Sequence, residues 1–128
     1  MSFVNIPNMQ ERRRATVFVR GTDGVVESAV ARTLAEALGQ RAVVRIGHPE
    51  EEPEECILVT TDGAASPPLV SKLTGQGMPV VVLAVFPTDA SEAVYRRAGA
   101  RAYLPMIVAP GPLVGIVTEL VSLFAANA

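Results

Sequence analysis

The chain has 128 residues and a mass of 13.5 kDa, the size of one domain, which argues against a two-domain enzyme. It is 49% hydrophobic and 19% charged, enough apolar material for a packed core and too little charge for a disordered chain. Eleven basic residues face thirteen acidic ones, so the net charge of −2 argues against general affinity for nucleic acid or anionic membrane. Residues 1–14 carry no periodicity and read as a tail, with Arg12-Arg13-Arg14 as a solvated charge run. Ala15 to Val19 is β-branched and aromatic, the pattern of a first strand. After the turn Arg20-Gly21-Thr22-Asp23-Gly24, the residues Val26, Ala29, Val30, Thr33, Leu34, Ala37 and Leu38 form one helical stripe, and Gly39 ends it. Arg41 to Ile46 is the second strand and Cys56 to Thr60 the third.

Pro67 and Pro68 open a short helix through Leu73, closed by Gly75 to Gly77. Val80 to Val85 is apolar on both faces, the mark of a strand buried from both sides in a parallel sheet. Asp89 and Glu92 have the spacing of a capping box, in which Asp89 caps a helix that stops at Gly99. Ala102-Tyr103-Leu104 is a fifth strand, and Pro112 begins a last helix with a continuous apolar face. Strand and helix alternate, which implies an α/β domain over residues 15–126 with a parallel sheet and helices on both faces.

The longest apolar run, Val80 to Phe86, is far short of the roughly 20 residues that span a bilayer. No secretory leader is visible, and the one cysteine, Cys56, makes no internal disulfide. A soluble cytoplasmic domain is expected.

The nine residues from Gly47 to Glu55 are few for a crossover. In the strand order 2-1-3-4-5 the link crosses two strand spacings and returns along the strand, a span of about 20 Å. Nine helical residues supply about 14 Å and nine extended ones about 30 Å. Pro49 and Pro53 also disfavour helix in the residues before them. A short or absent helix is therefore expected between the second and third strands. The sheet face beside them then needs cover from the tail, a second copy, another protein, or the strap and its larger neighbours.

Pro79-Val80-Val81-Val82-Leu83-Ala84 and Ala98-Gly99-Ala100-Arg101-Ala102-Tyr103-Leu104 resemble two segments of response-regulator receiver domains, the CheY-like partners of histidine kinases. The resemblance covers residues 15–125 and implies a flavodoxin-like fold of order 2-1-3-4-5. It also implies a phosphorylation site at the C-terminal edge of the sheet, with two acids for Mg²⁺, an aspartate nucleophile, a hydroxyl residue and a lysine. Residue by residue, this chain departs from that set. The two acids fall on Arg20 and Gly21, and the nucleophile on Thr60, or on Thr61 with a one-residue slip. The hydroxyl position falls on Ala84 and the lysine on Met106. Tyr103 matches the aromatic that changes rotamer in ordinary receivers.

The expectation is a non-enzymatic pseudo-receiver that acts through a protein partner or as a homodimer, without metal or cofactor, in a two-component-type or transcription-regulatory pathway. Its contact face is expected either around the fifth strand and its flanking helices, near Tyr103, Arg96 and Arg97, or beside the second strand. Two alternatives stay open. One is a small-ligand or anion sensor using Arg20, Thr22, Thr60 and Met106, with Gly21 and Gly24 lending backbone N–H groups. The other is a receiver still phosphorylated on a displaced Asp62, with Asp23 as displaced metal ligand; the plain reading of both acids is a turn before glycine. His48 and Cys56 lie too far apart in the expected sheet for catalytic pairing, and neither a dinucleotide nor a nucleotide-triphosphate loop is present.

Overall fold

A computed structural model describes residues 15–47, 56–106 and 110–127. Five parallel strands, β1 (Ala15–Arg20), β2 (Ala42–Ile46), β3 (Cys56–Thr61), β4 (Val80–Ala84) and β5 (Ala102–Pro105), form one sheet in the order β2-β1-β3-β4-β5. This is the order the sequence reading expected. Four helices accompany them: α1 (Gly24–Leu38), α2 (Pro67–Gly75), α3 (Asp89–Arg97) and α4 (Gly111–Asn127). The strap expected over residues 48–55 and the tail over residues 1–14 lie outside the described residues, as does His48.

The two-residue period of the strands divides the core in two. Val17, Val19, Ile57, Val59, Val81 and Leu83 point to one face, where Leu34 and Leu38 of α1 and Val117, Leu120 and Val121 of α4 cover them. Phe18, Leu58, Val80 and Val82 point to the other, under Val70 and Leu73 of α2 and Tyr95 of α3. Every residue of β3 and β4 is buried, as their unbroken apolar runs require of central parallel strands.

The sheet face beside β2 is less apolar than a missing helix implied. It presents Thr16, Phe18 and Arg20 from β1, with Val43 and Arg45 from β2. Phe18 is buried against the α2–α3 side of the core, Val43 is half-buried and Arg45 is exposed. The sequence reading left the cover of this face open between the tail, a second copy, another protein, and the strap with its larger neighbours; among the described residues Phe18 is the large side chain buried there.

Several local details differ from the sequence reading: Arg41 falls in a short helical turn before β2, and β4 ends at Ala84. The cap of α3 is Thr88, whose hydroxyl accepts from the Ser91 N–H, and not Asp89. Asp89 becomes the first helical residue, while Glu92, freed from a capping box, pairs with Arg96 at 2.8 Å one turn along. β3 runs one residue further than expected, to Thr61, which changes the side chain at its end. Gly39 closes α1 at φ 55° and Gly99 follows α3 at φ 108°, as expected for both positions.

Candidate functional site

The C-terminal ends of β1, β3, β4 and β5 lie side by side. Arg20 pairs with Thr60 across β1 and β3, the Asp62 N–H donates to the Leu83 carbonyl at 2.9 Å, and the Met106 N–H donates to that of Ala84 at 2.9 Å. This edge is where open α/β sheets place their sites.

Two adjoining cavities open there. One, of about 320 Å³, is lined by Arg20, Gly21, Thr22, Glu27, Gly47, Gly63 and Ala64. The other, of about 290 Å³, is lined by Thr22, Asp23, Val26, Thr61, Gly63, Val85 and Met106. Of the residues matched to the receiver site, Arg20 and Gly21 therefore lie in one cavity and Met106 in the other. Thr60 lines neither; it is wholly buried and its hydroxyl donates to the Thr61 carbonyl at 3.0 Å. By the strand period Thr60 shares the face of Cys56 and Leu58, so the residue beside Met106 is Thr61. The four-residue pocket of Arg20, Thr22, Thr60 and Met106 does not form as one unit.

The start of α1 is filled by its own carboxylates. Asp23 caps the helix, accepting from the Val25 N–H at 2.8 Å. Glu27 reaches back to accept from the Gly21 N–H at 2.9 Å. A Cβ at position 21 would lie 3.0 Å from the Glu27 Cγ, so a glycine there lets that carboxylate approach. An incoming anion meets two like charges, with those two N–H donors already engaged.

Ala84 and Tyr103 share the α2–α3 face of the sheet. Tyr103 is 6% exposed, so its ring belongs to the core, while Arg96 and Arg97, which the sequence reading named beside it for one of two contact faces, are both exposed on α3. Its hydroxyl is buried without a hydrogen-bond partner among the described residues. Its ring lies 5.8 Å from that of Tyr95, tilted at 33°. The Tyr95 hydroxyl donates to the carbonyls of Ala65, at 2.8 Å, and Asp62, at 3.1 Å. Burial pushes the Tyr95 hydroxyl above its usual titration range, and the charge of Asp62 and the neighbouring Tyr103 add to the effect.

The Mg²⁺ that a receiver site implies does not fit these side chains. Among the described residues Asp23 is the only carboxylate lining the Thr61 cavity, and one of its oxygens is engaged by Val25. Among the described residues no three His, Cys, Asp or Glu side chains come together as ligands.

Sequence reasoning missed one feature of this edge. Val25, Val85 and Phe86 are exposed, at 78%, 40% and 84%. The signal was an apolar run that continues past the end of β4, read as more strand. Among the described residues no helix is long and apolar enough to cross a membrane.

No family model and no curated protein matches the sequence. Solved structures do match its fold. A Burkholderia pseudomallei K96243 protein, provisionally described as pilus assembly-related, superposes with a TM-score of 0.73 at 18% identity, over 86% of this chain and 91% of that one. A CheY-like response regulator receiver domain protein of Methanospirillum hungatei JF-1 gives 0.71 at 16% identity, over 90% and 99%. The signal receiver domain of a DNA-binding response regulator of Colwellia psychrerythraea 34H gives 0.72 at 10% identity, over 84% and 98%. The chain has the fold of receiver domains.

Proposed function

We propose that this chain is a receiver-like regulatory domain that works by protein–protein contact, without phosphorylation and without catalysing a reaction, in a two-component-type or transcription-regulatory pathway. A shared fold does not by itself decide function, and one structural neighbour is described in terms of pilus assembly. The proposal therefore rests on the site. Its carrying observation is that the strand ends offer Thr61 and Met106 in one cavity, where acyl-phosphate chemistry needs a carboxylate and an ammonium group.

A threonine hydroxyl does not form the mixed anhydride that an aspartate forms. A thioether supplies no positive charge to a developing phosphoryl oxyanion. Ala84, wholly buried, offers no hydroxyl from β4. These departures agree with one another, because a site that holds neither phosphate nor metal has no use for their counter-charges. The exposed apolar residues at the same edge, Val25, Val85 and Phe86, supply what a protein contact uses.

The test is incubation with Mg²⁺ and a small phosphodonor such as acetyl phosphate, followed by intact-mass measurement. The mass is expected to stay unchanged. A phosphoryl adduct that disappears in Asp62→Ala would overturn the reading.

A further inference from the structure

The cavity that holds Thr61 and Met106 is built of two kinds of surface. Its lining is apolar at Val26, Val85 and Met106 and acidic at Asp23. Asp23 spends one oxygen on the Val25 N–H and makes no ion pair among the described residues. Thr61 is 6% exposed, and its hydroxyl oxygen has no hydrogen-bond partner among the described residues. We propose that this cavity is a socket for one lysine or arginine side chain presented by a partner protein. The inference rests on the reading of the chain as a protein-contact domain and names the chemistry of the contact.

Each feature selects that occupant. A long basic side chain lays its methylene stem on apolar surface and keeps its charged head beside a carboxylate. The stem matches Val26, Val85 and Met106, and the head matches Asp23. The orphaned hydroxyl of Thr61, a residue of the same lining, is an acceptor for such a donor. An anion is opposed by Asp23 and Glu27, which already take the nearby N–H groups. A divalent ion is opposed by the shortage of oxygen ligands, since Asp23 is the one carboxylate in the lining among the described residues. The rest of the edge adds Glu27, Asp62 and Asp89, while Arg20 lines the neighbouring cavity. Charge complementarity thus favours a basic segment of a protein. Val25 and Phe86, exposed and next in sequence to the lining residues Val26 and Val85, give that segment apolar surface on which to seat.

The test titrates the full chain with N-acetyl-lysine amide, N-acetyl-arginine amide and N-acetyl-norleucine amide, read by methyl NMR shifts. The two cationic probes are expected to give saturable millimolar shifts at Val26, Val85 and Met106, with the uncharged probe about fivefold weaker. Asp23→Asn is expected to weaken the cationic probes about fivefold at unchanged melting temperature, because asparagine caps a helix as well as aspartate. Glu36→Gln, exposed near the other end of α1, is expected to leave them unchanged. Absence of localised shifts, equal binding of norleucine, or indifference to Asp23→Asn overturns the socket. The phosphodonor assay stands apart from these results: an unphosphorylated chain that binds no cation overturns the socket alone, and a phosphorylated one overturns the reading beneath it.

Discussion

The Tyr95 hydroxyl donates to the carbonyl of Ala65 at 2.8 Å, tying α3 to the loop after β3 across thirty positions of sequence. The same hydroxyl lies 3.1 Å from the Asp62 carbonyl, so its single proton is shared between two backbone acceptors beside the candidate site. Tyr95→Phe keeps the ring and leaves those acceptors without it. A loss of about 1–3 kcal/mol in urea unfolding is expected. A change under about 0.5 kcal/mol, the range of an unremarkable surface substitution, would show that the bonds do not hold the loop.

Tyr103 is expected to behave in the opposite way. Its ring stacks near that of Tyr95, yet its hydroxyl is buried with no partner among the described residues. Removing an unsatisfied buried hydroxyl relieves its desolvation cost. Tyr103→Phe should therefore be neutral or stabilising by up to about 1 kcal/mol, measured beside Tyr95→Phe under the same conditions. A loss as large as that of Tyr95→Phe would mean that the Tyr103 hydroxyl is satisfied after all.

What the sequence made legible follows from periodicity. Val80 to Leu83 is apolar at every position, and only a strand covered on both faces has a use for that. The stripe from Val26 to Leu38 marks α1 because its three- and four-residue steps have no strand counterpart. Ends were harder, for physical reasons. Thr88 and Asp89 are adjacent and both cap well, so spacing alone favoured the wrong one. Thr60 and Thr61 are the same residue type, and a one-residue slip exchanges the buried face for the cavity. The bond from Tyr95 to Ala65 is tertiary and leaves no local pattern at all.

Two glycines give opposite expectations. Gly99 sits at φ 108°, and a Cβ there would fall 2.5 Å from the Thr74 Oγ1. That oxygen is not free to move aside, since it donates to the Ala98 carbonyl at 2.8 Å. Gly99→Ala is expected to cost about 2 kcal/mol or more through backbone strain and the displaced threonine. Gly115, inside α4, has nothing within 4 Å of a Cβ position among the described residues. Gly115→Ala should stabilise by about 0.5–1 kcal/mol, the ordinary helix preference. Thermal melts of both variants check the pair, and equal shifts of either sign would contradict it.

The raised titration of Tyr95 sets a pH dependence. Burial is the largest cause, followed by the charge of Asp62 and then Tyr103, and all three favour the protonated hydroxyl in the fold. The unfolded chain releases that proton near the ordinary value of 10.0, while the folded chain still holds it. Above that pH the native state binds more protons than the unfolded state, so unfolding free energy falls as pH rises. The contribution is complete below about pH 10 and is lost as pH climbs from there towards the folded value. Other groups titrate in the same region, so the informative quantity is the stability difference between wild type and Tyr95→Phe. That difference is expected to be constant from pH 7 to pH 9 and to shrink beyond pH 10, followed by urea unfolding at stepped pH. A difference that stays flat to pH 11 would show that the Tyr95 hydroxyl titrates alike in the folded and unfolded chain.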